Sequence, residues 1–411
     1  MRMLQGRVRA YDWGSRHAIP GLFGLPEAEG PVAEVWLGAH PDDPAYTNGS
    51  DSMLDASQLY PSKVSPPAGR TSLPEWICAD PGAVLGESVV ERYGERLPYL
   101  LKIIAPAAPL SLQVHPSIAQ AEEGYAAEDA MGVAHDDPAR NYKDRNHKPE
   151  LAYALTRFEA LVGFRARRRI GEVLRDLGTA LTERMREVLR SRGVRGAFEF
   201  LLEEETRPGA DAVAEVVEAC RARLDGQSPS RRADAIVVRL AQRYPGDPGV
   251  VASLLLNPVT LQPGEALFIP AGTVHAYLQG TAVEIMAASD NVLRAGLTSK
   301  HVDVPELLKV VDSQASPPIR IAPERMTAAV STFYAPVDDF ELSDIHLRNA
   351  NARQRILGFG PRTVVCLSGA AQLEAGGQVV DVVAGQAVFV PASDGPLTMR
   401  GIGHLVQAAV P

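Results

Sequence analysis

Apolar residues in this chain follow one pattern, then another, then return to the first. To about residue 165 they form short runs broken by Gly and Pro, the pattern of strands and loops. Tyr99–Ile104 and Ser111–His115 read as two such strands, separated by the turn-rich Ala105-Pro106-Ala107-Ala108-Pro109. In the second, alternation puts Ser111, Gln113 and His115 on one face and Leu110, Leu112 and Val114 on the other, against apolar packing. From Arg167 to about Arg243 the spacing turns helical, as in Ile170, Val173, Leu174 and Leu177, in a stretch rich in Arg, Glu, Leu and Ala. Pro208-Gly209 and Gln227-Ser228-Pro229-Ser230 divide it into several helices, the second break capping the helix that follows. Beyond Pro245-Gly246-Asp247-Pro248-Gly249 the strand pattern returns.

The returning strands contain a repeat. Leu261–Ala271 and Val383–Ala392 share the core Gly-x-Ala-apolar-Phe-apolar-Pro-Ala. Each copy is a turn glycine, a buried strand and a proline that ends it. The first copy leads to His275, the second to Ser393-Asp394-Gly395 with no histidine. Two related β-barrels are the economical reading, one with a metal ligand and one without.

At 411 residues the chain is too long for one simple core. A formal charge of -9 argues against a general nucleic-acid surface, although it leaves room for a local basic pocket for a phosphate. The Arg165–Arg169 cluster reads as the solvated start of a helix, because Glu172 and Asp176 follow it. No run of about 18 apolar residues occurs, so no membrane span is expected, and Met1–Arg7 lacks the apolar run of a secretion signal. Cys78, Cys220 and Cys366 have no Cys-x-x-Cys spacing. They read as small buried hydrophobes in a reducing cytoplasm, not as a disulfide framework or a thiolate zinc site.

A glutamine and a histidine two apart on a strand face make half of a metal site. The other half is offered by Asn146-His147-Lys148-Pro149-Glu150 and Pro270-Ala271-Gly272-Thr273-Val274-His275. Two imidazoles, a carboxylate and an amide oxygen form a borderline-hard set that accepts zinc, and also cobalt or manganese, because no thiolate selects strongly. Gln113 is the weakest donor of the four.

The Pro-Gly-x(5)-Pro-Ala-Gly-x-x-His pattern of Pro263–His275 resembles the second motif of the cupin superfamily. Longer stretches resemble the type I phosphomannose isomerases: Gln113-Val114-His115-Pro116, Asn141 to Glu150, and His275 to Lys300. Tyr11-Asp12-Trp13-Gly14 and Ala33 to Pro41 resemble them too, in the same order, and the likeness runs from about residue 4 to at least 310. It implies a mainly β fold with an α-helical module: two cupin-like β-barrel (jelly-roll) domains plus a helical domain. The catalytic barrel would be residues 1–165 with 250–325, the helical module 166–249, and a C-terminal barrel without metal ligands 326–411.

The resemblance further implies one zinc per chain, with Gln113, His115, Glu150 and His275 as ligands. The implied substrate is a small sugar phosphate, with mannose 6-phosphate and fructose 6-phosphate interconverted through an enediol. Arg294 corresponds to the family's catalytic arginine, which would offset enediolate or phosphate charge. Ser111 and Lys300 would bind the phosphate, Tyr277 would face the same mouth and contact the sugar, and Lys102 would sit at the pocket edge. The general base stays open among Lys148, His147, Glu284 and Asp290. Trp13, Trp36 and His40 are read as core packing or barrel support. His17, His135, His301, His346 and His404 lie outside the ligand motifs, with His301 at the pocket rim. Ser52–Arg70 reads as a surface loop. A cytoplasmic monomer without nucleic-acid or membrane partners is expected, and without a nucleotidyltransferase domain. Two rival readings stay open: an iron or manganese cupin oxygenase using the two histidines and the glutamate, and a sugar-binding protein that has lost turnover.

Overall fold

The run Tyr99–Ile104 forms a fully buried strand over the length its composition predicts, whereas the second strand is shorter, Leu112–Val114. The computed structural model describes residues 1–47, 53–54 and 69–411. Most of Ser52–Arg70 lies outside the described residues. The protein is mainly β, and its described strands form three open sheets.

The first sheet runs Leu256–Leu261, Phe158–Phe164, His275–Gln279, Leu112–Val114, Leu293–Gly296. The second runs Ile319–Ile321, Ala266–Ile269, Glu150–Ala154, Ala282–Ala287, Tyr99–Ile104, Glu34–Leu37, Arg7–Arg9. They pack face to face through Ala152, Ala154, Ala160, Val162, Leu267 and Tyr277. Both are covered on their outer faces, so their strands carry apolar residues on both sides.

Helices cover the outer face of the five-stranded sheet: Arg167–Val173, Ala180–Leu202, Ala210–Asp225, Arg231–Arg243 and Pro248–Ala252. Val213, Val216, Val237 and Leu240 share one apolar cluster with Leu112, Val114, Leu161 and Ala276 of the sheet. Both expected helix breaks occur. Ser230 occupies the position before Arg231–Arg243, but its side chain makes no capping bond. Instead the Ser228 hydroxyl accepts from the Ser230 N–H at 3.0 Å and donates to buried Asp234 at 2.5 Å. Asp234 also pairs with Arg223, so this break is held by a buried ion pair.

The outer face of the seven-stranded sheet packs against a ten-stranded sheet through Leu101, Ile103 and Leu151 on one side and Leu342, Phe389 and Val406 on the other. The strand Arg2–Gln5 pairs with Ala387–Val390, so the start of the chain is stitched into the C-terminal strands. The repeat is visible here. Ala266–Ile269 and Ala387–Val390 are both wholly buried, and each follows a left-handed glycine, Gly264 (φ 89°) and Gly385 (φ 85°). A side chain at either glycine would strain the turn. Of the cysteines, Cys220 and Cys366 are buried as expected, whereas Cys78 is exposed; all three are free.

Glu341, which begins the strand Glu341–Ile356, is buried, and burial pushes its carboxyl up to about 7. The folded state therefore binds the proton more tightly than the unfolded chain, and the fold loses stability as pH rises from about 4.5 through 7. Glu341→Gln is expected to stabilise the protein by about 1–2 kcal/mol at pH 8 and by little at pH 5. Chemical denaturation at the two pH values checks this; an equal effect at both would contradict it.

Candidate functional site

Sheet register assembles the site. In the five-stranded sheet His275 lies opposite Gln113, and Gln113 opposite Arg294, so three polar side chains form one row on the inner face. In the facing sheet Lys102 lies between Trp36 and Glu284, while Glu150 opens the neighbouring strand Glu150–Ala154. His115 follows the strand Leu112–Val114 directly.

The donor atoms of His115, Glu150 and His275 all lie within 4.8 Å of one another. The Nδ1 of His115 is 2.7 Å from the Asn291 carbonyl oxygen, and that of His275 is 2.9 Å from the Thr273 carbonyl oxygen. A carbonyl can only accept, so each Nδ1 carries the proton and each Nε2 presents a bare lone pair. The His115 Nε2 stands 3.1 Å from Glu150 Oε1 yet makes no hydrogen bond, and the His275 Nε2 is 3.3 Å from Glu150 Oε2. Buried acceptors that face each other repel unless a cation lies among them. Burial, and then the charge of Lys148, push the His115 imidazole down to about 4, which keeps it neutral and able to donate its lone pair. The Gln113 Nε2 is 3.2 Å from His275 Nε2, and the amide turned over offers its oxygen at the same point. The donor set fits a divalent ion of the zinc class. The Tyr277 hydroxyl donates to Glu150 Oε2 at 3.2 Å and fixes that carboxylate.

Through Gln113, Glu150 and Tyr277 this cluster borders a cavity of about 990 Å³. Arg294, Ser111 and Lys300 line it together. Among the described residues the Arg294 guanidinium and the Lys300 ammonium have no hydrogen-bond or ion-pair partner. Two unneutralised cations and a hydroxyl lining one cavity have the chemistry to receive an anion. Burial lowers the pKa of both cations, and in Lys300 the charge of Arg294 adds to it.

Lys102 lines the cavity, as the resemblance implies, and sits buried in the middle of its sheet, 3.4 Å from Glu284 and 3.8 Å from Glu34. Burial opposes its charge, but Glu34, Glu284 and Glu150 outweigh it and hold the ammonium above its ordinary pKa. Burial and the charge of Glu150 push Glu284 up to about 7. Lys148 reaches Glu150 at 3.6 Å and lines the cavity. Asp290 lines it too, its Oδ2 2.5 Å from His40 Nε2. His147 is not brought to the cavity: it turns away to Asp339 at 3.0 Å.

Other side chains reach the cavity without having been expected there. Trp13 and Trp36, read as packing, line its wall, with the Lys102 ammonium over the Trp36 ring at 4.9 Å. Tyr11 and Glu34 belong to recognised motifs that carry no separate sign of facing inward. His135 lines the cavity and His301 does not, the reverse of the expectation. Arg243, Tyr244 and Asp247, at and just after the end of the last long helix, close one side. Arg243 pairs with Asp12 at 2.6 Å and the Tyr244 hydroxyl donates to the Pro109 carbonyl at 2.9 Å, so the helical region contributes a wall.

Asn291 organises the loops behind the donor cluster. Its fully buried Oδ1 accepts from the Lys143 and Asp144 N–H groups at 2.7 and 3.1 Å, and its Nδ2 donates to the Asp144 and Asn146 carbonyls, each at 2.8 Å. Asn291→Ala leaves these groups unpaired, so a loss of about 2–4 kcal/mol is expected, with measurably weaker metal retention. Urea unfolding and metal analysis check this; a loss below about 1 kcal/mol would contradict it.

Comparison with known proteins bears on what this site is for. A family profile described as phosphomannose isomerase type I, catalytic domain, matches residues 1–167. The chain is 36% identical to the mannose-6-phosphate isomerase of Escherichia coli, over 99% of both chains. It is 30% identical to mannose-6-phosphate isomerase 1 of Arabidopsis thaliana, over 95% of this chain and 89% of the relative. A solved structure of the Salmonella typhimurium mannose 6-phosphate isomerase, bound to its substrate fructose 6-phosphate and to zinc, superposes with a TM-score of 0.86 at 35% identity, covering 100% of this chain and 99% of the other.

Proposed function

The chain belongs to the type I phosphomannose isomerases, and from that premise we propose that it interconverts mannose 6-phosphate and fructose 6-phosphate in the cavity between the two facing sheets. One observation carries the reading. A set of convergent donor atoms from Gln113, His115, Glu150 and His275 borders, through Gln113 and Glu150, the cavity that the unneutralised Arg294 and Lys300 also line. A metal site alone fits many reactions, but a metal site beside two unpaired cations that line one cavity fits a phosphosugar.

In this reading the four ligands hold one zinc, whose charge as a Lewis acid favours negative charge on the neighbouring sugar oxygens. Ser111, Lys300 and Arg294 take the phosphate or the charge that develops on the sugar, and Tyr277 holds Glu150 in place. A proton moves between C2 and C1 through an enediol, which needs a group within reach of the sugar. Lys148, Glu284 and Asp290 line the cavity and remain candidates for that group; His147 is set aside by its turn toward Asp339. The finer architecture is proposed as a cupin-like barrel of residues 1–165 with 250–325, a helical module of 166–249 and a second barrel of 326–411, a reading supported by the face-to-face packing of the five- and seven-stranded sheets. The protein is taken as a cytoplasmic monomer without nucleic-acid partners; among the described residues no helix is long and apolar enough to cross a membrane.

The test is a coupled assay of fructose 6-phosphate formed from mannose 6-phosphate, run before chelation, after it, and with zinc restored. Turnover is expected to disappear and return. A folded, zinc-loaded sample with no turnover on this substrate would overturn the reading.

A further inference from the structure

A second cluster with the composition of a metal site lies in the ten-stranded sheet. Asp344 and His346 sit on the strand Glu341–Ile356 and His404 on its neighbour Leu397–Ala409. The register pairs His346 with His404 and Asp344 with Val406, so the three polar side chains share one face. The imidazole rings stack 4.2 Å apart at 12°. The His404 Nε2 lies 2.7 Å from Asp344 Oδ1 and the His346 Nε2 3.2 Å from Oδ2. One donor atom from each residue falls within 4.8 Å of the other two. None of the three lines the cavity.

We propose that Asp344, His346 and His404 form a second site for a divalent transition ion, separate from the cavity. Two imidazoles and one carboxylate are the donors that zinc, nickel or copper prefer, whereas magnesium and calcium take oxygen ligands. The sheet ladder sets the spacing of the histidines before any ion arrives, so little ordering is needed on binding. Buried Tyr153, from the facing sheet, lies beside the same carboxylate, among the groups that favour its charged form. His346 keeps 46% of its side chain exposed, which leaves coordination positions open to water. That exposure also makes this the weaker site, filled after the buried one.

Zinc alone is the probe. Bound zinc is measured on the full-length protein by equilibrium dialysis and metal analysis, with free zinc raised to about 100 μM. Wild type is expected to reach about two zinc ions per chain at the upper end, and His346→Ala and His404→Ala about one each, with isomerase turnover unchanged. His275→Ala should also hold about one, retained at Asp344, His346 and His404. His346 is half-exposed, so its substitution leaves the fold intact even if that of the less exposed His404 does not. A wild type that stops at about one zinc per chain would overturn the proposal, leaving the cluster as a simple ion pair. So would a His346→Ala, His404→Ala double variant that keeps the second zinc.

Discussion

His275→Ala is expected to lose its cavity zinc and about a thousandfold of kcat while remaining folded. His275 is wholly buried, its Nδ1 is anchored to the Thr273 carbonyl, and its Nε2 faces both Gln113 and Glu150. Removing it leaves Glu150 and His115 with one imidazole fewer to share a cation, and Gln113 is too weak a donor to compensate. The backbone pairing of His275 to Val162 and Gln113 does not depend on the side chain, so the strand stays in register. Zinc content, kcat and circular dichroism on one preparation check all three parts. Wild-type turnover with full zinc occupancy in this variant would exclude His275 from the site.

Arg294→Ala is expected to cost about 100- to 1000-fold in kcat/KM, because the residue has no partner among the described residues and its charge is left for a ligand. A guanidinium with structural partners would instead lower stability on removal; here the melting temperature should barely move. Arg294→Lys should recover only part of the loss, since an ammonium gives a point charge without the planar fork. Inorganic phosphate should also inhibit the alanine variant less well than wild type. Unchanged kcat/KM in Arg294→Ala would place the substrate charge elsewhere.

How much of this is legible before folding depends on distance along the chain. The alternation through Ser111, Gln113 and His115 puts those residues on one face, and Tyr277 on the face of His275, because strand periodicity is local. The repeat around Gly264 and Gly385 is readable for the same reason: a left-handed turn followed by a buried strand restricts the residue types allowed. The helix breaks at Pro208-Gly209 and near Ser228 are also local signals, although the capping role expected of the second is displaced by the Ser228–Asp234–Arg223 network. His147 departs from its expected place because adjacency to Lys148 says nothing about which way a loop residue turns.

By itself the sequence determined the strand and helix regimes, the donor types and, through resemblance, the family. Only the tertiary structure decided what faces what. It put Lys102 in the buried centre of a sheet between Glu34 and Glu284, and it brought Arg243 and Tyr244 from the helices to the cavity wall. It also stacked His346 on His404, residues that the sequence separates and offers no reason to pair. The physical reason is the same in each case. Periodicity and turn chemistry are short-range properties of the chain, whereas sheet register and layer packing depend on burying apolar faces contributed by distant segments.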